Sequence, residues 1–245
     1  MKRKRLDLVV VEKGMAVSRS RASAMILAGS IRVNGMPAEK PGMQVDANAD
    51  VALRGTDLPY VSRGGSKLAH ALSTFAISVS GLACLDVGAS TGGFTDCLLQ
   101  NGAVSVHAVD VGYGQLAWKL RKDPRVTVIE RTNIRYAKKE DFPFFFDLAV
   151  IDASFISLKL IVPVTGKLVR PGGLIIALIK PQFEVGRNQV GKGGVVKDPA
   201  LHIRVIDELC DFFTNIGFVC GPVTPSPLLG PKGNREFLVL IQNHS

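Results

Sequence analysis

Apolar positions change their period near residue 60, and the change divides the chain in two. In the first part Leu6, Val9 and Val10 recur at helical spacing and Gly14 ends that helix. Ser18 is placed to cap a second helix, which carries Arg19 and Arg21 beside Ala24, Met25, Leu27 and Ala28 and stops at Gly29. Ile31-Arg32-Val33 then predicts a strand entering an Asn34-Gly35 turn, with a return strand over residues 45–53. So short a segment cannot enclose a large core, and its predicted use is a surface.

Glycines and a proline at Gly55, Pro59, Gly64 and Gly65 punctuate a junction over residues 54–65. Beyond it, compact apolar runs at 83–87, 104–109, 126–129, 148–151 and 174–179 alternate with helical patterns, and a last run over 236–241 follows a loop rich in proline and glycine. That alternation predicts an α/β fold on a mostly parallel sheet. The expected domains are residues 1–59 and 60–245. Trp118 and the phenylalanines of 142–146 read as core rather than as base-stacking platforms.

With 245 residues, 47% of them hydrophobic, the chain is long enough for one sizeable core and one small module. Its net charge of +9 favours a polyanionic partner, and residues 1–32 concentrate that charge, with eight basic side chains against two acidic ones. The two acids and the patterned segment that follows argue against a targeting peptide. No apolar run approaches the ~18 residues that span a bilayer, so membrane insertion is not expected. The four cysteines have no CxxC spacing and the histidines are scattered; neither a zinc site nor a disulfide framework is expected, and a reducing cytoplasm fits best.

Candidate chemistry begins where the first strand of the second part meets its helix, at Cys84-Leu85-Asp86-Val87-Gly88-Ala89-Ser90-Thr91-Gly92-Gly93-Phe94. Glycines allow close backbone approach to a ligand, and a helix start supplies directed N–H groups. A dinucleotide fingerprint would need glycine at position 90, where serine stands. The order acid-x-G-x-x-x-G-G instead resembles the first motif of S-adenosylmethionine methyltransferases, which makes Asp86, Gly88, Ser90, Thr91, Gly92 and Gly93 candidate cofactor contacts. Asp110, 22 residues past Gly88 at the end of a strand, can accept from both ribose hydroxyls of an adenosyl group; alone it reads equally as a turn residue. Asn133 follows the third strand, where adenine contacts arise.

Four ionisable residues sit where parallel-sheet enzymes place chemistry. Asp152 and Lys180 follow apolar strands, Lys67 lies in the helix before the cofactor strand, and Glu236 opens the last strand. A ribose hydroxyl holds its proton far above neutral pH, so methyl transfer to it needs a group to take that proton. The order K…D…K…E resembles the tetrad of ribose 2′-O-methyltransferases. Across nearly the whole chain the resemblance is to the TlyA (hemolysin A) family of ribosomal RNA cytidine 2′-O-methyltransferases, with an S4 RNA-binding module before an FtsJ-like domain. It is carried by Val61-Ser62-Arg63-Gly64-Gly65-Ser66-Lys67-Leu68, Asp110-Val111-Gly112-Tyr113-Gly114-Gln115-Leu116, Glu130-Arg131-Thr132-Asn133, Asp152-Ala153-Ser154-Phe155-Ile156-Ser157, Lys180-Pro181-Gln182-Phe183-Glu184-Val185-Gly186 and Gly230-Pro231-x-Gly233-Asn234-x-Glu236.

That resemblance implies a Rossmann-like methyltransferase sheet with an antiparallel last strand, S-adenosylmethionine as cofactor and no metal. It implies Lys180 as proton acceptor, Asp152 and Lys67 as orienting partners and Glu236 as the fourth member, with Asp152 and Phe155 bordering the cofactor. Ribosomal RNA or ribosomal subunits are the implied partner. The S4 resemblance rests on Arg5-Leu6-Asp7, Gly14, Ser18-Arg19, Ala22, Ile26, Gly29 and the strand from Ile31 to Gly35, and makes Arg3, Arg5, Arg19 and Arg21 the RNA-binding candidates. The alternative for these arginines is the solvated face of an amphipathic helix. A glycine-rich basic loop over 182–196 could close over RNA or stand idle. Two other function classes remain open at this level: an RNA-binding assembly factor without chemistry, and a membrane-active hemolysin.

Overall fold

The computed structural model describes residues 3–46, 48–53 and 59–244. The first part of the expected junction, residues 54–58, lies outside the described residues.

The first unit packs helices α1 (Leu6–Glu12) and α2 (Arg19–Leu27) over short strands. Leu6, Val10, Ala22, Ile26 and Ile31 are fully buried there, one apolar stripe from each helix meeting the strand between them. Ser18 Oγ accepts from Arg21 N and caps α2. The Asn34-Gly35 turn takes positive φ at both residues and joins β2 (Ile31–Val33) to β3 (Met36–Pro37). The return strand expected over 45–53 is two strands in two sheets. A turn closed by Ala49 N donating to Asp46 O separates them. Strand β4 (Gln44–Asp46) pairs with β1 (Arg3–Arg5), and β5 (Val51–Leu53) pairs with β2.

The second unit is a seven-stranded sheet in the order β11-β12-β10-β9-β6-β7-β8. Strands β6 (Ala83–Val87), β7 (Ser105–Val109), β8 (Val126–Ile129), β9 (Phe146–Ile151) and β10 (Val169–Ile179) run parallel. Strand β12 (Phe237–Asn243) lies antiparallel between β10 and β11 (Phe218–Pro225). Both faces are covered, so the central strands are apolar at most positions, and the two-residue period sorts those residues between two cores. Ile175, Ala177 and Ile179 of β10 meet α6 (Leu158–Gly166) and α8 (Pro199–Asn215). Ile176 and Leu178 meet α3 (Arg63–Thr74) and α4 (Gly93–Gln100).

Three expectations are corrected. Strand β11 holds Gly221, Pro222 and Pro225 and reads as loop in sequence; prolines are tolerated because it is an edge strand whose register breaks between Cys220 and Val223. Cys210 and Cys220 form a disulfide, because the chain reverses at Gly217 (φ +91°) and lays β11 back along α8 with the two Cα atoms 5.3 Å apart. Trp118 is not core. It begins the single-turn helix α5 (Trp118–Arg121), whose buried residue is Leu120, and the indole stands 66% exposed. Phe142 and Phe146 are buried as expected, whereas Phe144 and Phe145 are exposed.

Candidate active site

Register brings the ends of three parallel strands together. Val87 pairs with Ile151 and Ile151 with Ala177, so the residues that follow β6, β9 and β10 leave the sheet at one edge. Asp152 N donates to Val87 O, and a Cβ added to Gly88 (φ +86°) would meet Asp152 O at 2.8 Å. Only glycine fits where the β6–α4 loop crosses the end of β9. Ser90, the residue that departs from the dinucleotide pattern, adopts φ 47°, a left-handed backbone that glycine would take without strain. Its N–H donates to Asp110 Oδ2 at 2.8 Å and its Oγ to Gln115 Oε1 at 3.3 Å. Asp110 Oδ1 accepts from Gly112 N at 2.6 Å, so this acid clamps two loops.

The loop forms one wall of a cavity of about 610 Å³. Of the cofactor candidates, Gly88, Ser90, Thr91, Gly93, Asp152 and Phe155 line it, as do all four tetrad candidates. Asp86, Gly92, Asp110 and Asn133 do not. Asp86 lies beneath the loop, fully buried, its Oδ2 accepting from Thr95 Oγ1 at 2.6 Å; burial pushes its pKa up to about 7. Gly92 packs against Leu116 and Leu120. Asn133 caps a short turn by accepting from Arg135 N. Phe155 projects at the rim, 90% exposed, with φ 63° and its ring centroid 5.0 Å from that of Phe183. A large non-glycine residue held left-handed at a cavity mouth is strain of the sort that collects at functional sites.

Two lysine–carboxylate pairs face this space. Lys180 Nζ, on a side chain only 7% exposed, contacts Asp152 Oδ1 at 2.6 Å and donates to Ala153 O at 3.0 Å and Ser154 Oγ at 2.9 Å. Lys67, from the buried face of α3, donates to Glu236 Oε2 at 2.5 Å. Glu236 is 1% exposed, and its Oε1 has no hydrogen-bond partner among the described residues. Asn234 holds the neighbouring segment: its Oδ1 accepts from Val196 N while its Nδ2 donates to Gly194 O, tying the glycine-rich loop to the turn before Glu236.

The four arginine candidates part company. Arg3 lies at the surface near Asp46, and Arg5 and Arg19 converge on buried Asp7, which the Arg5 hydrogen bond holds down at about 2. Arg21 is turned away from the module's free face. Its Nη1 donates to Gln115 O across the interface between the units, and burial lowers its pKa. Ala24, Leu27 and Ala28 of α2 accordingly border the cavity, a contact that helical periodicity alone gives no means to foresee. Gln115 and Ser154 were within reach of the sequence, because both stand inside the quoted motifs. Among the described residues no group of three His, Cys, Asp or Glu side chains could hold a metal ion, and no helix is long and apolar enough to cross a membrane.

Comparison with known proteins agrees with this geometry. The FtsJ-like methyltransferase family matches residues 60–243 and the S4 domain family residues 4–51. The chain is 46% identical to the 16S/23S rRNA (cytidine-2′-O)-methyltransferase TlyA of Mycobacterium tuberculosis, over all of this chain and 91% of that protein. It is 41% identical to Hemolysin A of Brachyspira hyodysenteriae, over 96% and 98% of the two. A solved Streptococcus thermophilus protein named as a hemolysin superposes with a TM-score of 0.79 at 43% identity, covering 100% of this chain and 90% of that one. An S4 unit joined to a glycine-loop sheet domain, with relatives alike over their whole lengths, places this chain in the TlyA family of FtsJ-like methyltransferases.

Proposed function

We propose that this chain transfers a methyl group from S-adenosylmethionine to the 2′-hydroxyl of a cytidine ribose in ribosomal RNA. The observation that carries the reading is the convergence of two lysine–carboxylate pairs on one cavity walled by a glycine loop. The loop fits the cofactor: at Gly88 no side chain can intervene, and Ser90, Thr91 and Gly93 line the cavity beside the start of α4. These residues would hold the methionine part, with Asp152 and Phe155 beside it. Asp110 accepts one N–H on each oxygen and retains a lone pair on each for an adenosyl ribose, with Asn133 beyond it.

S-adenosylmethionine supplies an electrophilic methyl group, so the protein's task is positioning and proton handling. An ammonium has three donors and no lone pair. Lys180 therefore takes the ribose proton only after yielding one of its own, and Asp152 Oδ1 at 2.6 Å is the adjacent acceptor. Glu236 Oε1, buried and without a partner among the described residues, is the acceptor that a ribose hydroxyl would complete, with Lys67 fixing the carboxylate. Residues 1–59 act as the RNA-binding unit and 60–245 as the methyltransferase, in the cytoplasm where ribosomes are. Arg3, Arg5 and Arg19 meet RNA phosphates, with Arg21 at the joint between the units.

The test is transfer of labelled methyl groups to purified ribosomal subunits. A 2′-O-methyl group blocks alkaline cleavage of its own phosphodiester, so the product is expected as an alkali-resistant dinucleotide that begins with cytidine. Label on a nucleobase, or none in either subunit, would sink the proposal.

A further inference from the structure

Trp118 is the only tryptophan in the chain, and it stands at the surface. It lines a second cavity of about 350 Å³ together with Arg21 and Met25 of α2 and Ala28 just after that helix. Thr91 and Ala28 line this cavity and the larger one alike, so the two spaces adjoin. The surroundings are cationic. Lys122 Nζ lies over the indole ring, 4.9 Å from its centroid, and exposed Lys119 is paired to the buried carboxylate of Asp96 at 2.9 Å. Arg21 reaches in from the S4 unit.

An exposed aromatic ring among cations, in a cleft beside a site for a nucleotide, is the chemistry of base stacking with phosphate neutralisation. Phosphate alone would use the cations and have no need of the ring. An apolar protein segment would use the ring and gain nothing from three cations. We propose that this cleft is an accessory nucleotide site: the base of an unpaired nucleotide next to the methylated one stacks on Trp118, and its phosphate lies against Lys119, Lys122 and Arg21. The cleft would thus hold the RNA strand on both units at once. The proposal rests on the reading of RNA as substrate.

Because Trp118 is the sole tryptophan, its emission reports on the cleft directly. The probe is a single-stranded oligocytidylate of about ten nucleotides, with inorganic polyphosphate of matching charge as the base-free control. Binding is followed independently by anisotropy of a labelled oligonucleotide. Indole emission is expected to be quenched in step with oligonucleotide occupancy and left unchanged by polyphosphate. Trp118→Ala should weaken oligonucleotide binding roughly tenfold, and Trp118→Phe should restore most of it. In methyl transfer the alanine variant should raise KM for RNA while kcat and S-adenosylhomocysteine binding hold, the latter also showing that the variant is folded. Saturation by oligonucleotide without a change in emission, or an alanine variant that binds RNA like the parent, overturns the site. A parent protein that shows the quenching but methylates no ribose overturns the proposed function and leaves the site standing.

Discussion

The two lysine–carboxylate pairs share one cavity but are built in opposite ways. Lys180 and Asp152 follow neighbouring strands of the parallel sheet, and the lysine is also held by a carbonyl and a hydroxyl from the two residues after Asp152. Lys67 and Glu236 come from a helix and the residue that enters an antiparallel strand, 169 positions apart, and one buried oxygen of Glu236 has no partner among the described residues. The first pair is complete before any ligand arrives; the second is short of one donor. The difference fits the proposed division of labour, proton handling at the finished pair and ribose capture at the unfinished one.

The largest expected effect comes from the finished pair. Lys180→Ala removes the proton acceptor and should lower kcat for methyl transfer by about 10³-fold or more, with S-adenosylhomocysteine affinity retained in titration calorimetry. A variant that keeps a substantial part of the parent rate would move the proton role elsewhere and break the distinction.

The unfinished pair should fail differently. Lys67→Ala strands a carboxylate that is 1% exposed, and stranding a buried charge costs about 3–5 kcal/mol of stability. Lys180→Ala should cost less, because Asp152 is 25% exposed and can be hydrated. In methyl transfer Lys67→Ala should lose about 100-fold through a misplaced ribose. Lys67→Met with Glu236→Leu should regain stability in urea titrations and remain inactive. Equal unfolding midpoints for the two alanine variants would erase the asymmetry.

How far each pair could be read from sequence follows the same division. Asp152 and Lys180 announce themselves because each directly follows an apolar run, and in a parallel sheet that position is the ligand edge. Glu236 has no such signal. Its place depends on β12 inserting between β10 and β11, and β11 is hidden by the glycine and prolines that its edge position tolerates. The positions of Arg21 and Trp118 escape a reading of the sequence for a shared reason. Charge and hydropathy say what a side chain prefers, whereas the docking of α2 on the catalytic unit decides that this arginine is half-buried and that this indole is not. The Cys210–Cys220 pairing likewise depends on a chain reversal that cysteine spacing does not encode.

Asp86 gives the smallest effect and the sharpest form of the rule. Asp152 and Glu236 each have a lysine, whereas Asp86 is just as buried as Glu236 with only Thr95 beside it, and burial pushes its pKa up to about 7. A carboxyl whose pKa is higher folded than unfolded binds more protons in the native state, so its contribution to stability is full below about 4, falls as pH rises, and is gone above about 7. Asp86→Asn keeps an oxygen for Thr95 Oγ1 and carries no charge at any pH. Urea titrations from pH 4 to pH 8 should therefore show the parent losing ground steadily to Asp86→Asn, with methyl transfer at neutral pH near the parent level. A stability difference that stays flat across that range would mean that Asp86 is ionised throughout, and that a buried carboxylate at this loop needs no lysine to keep its charge.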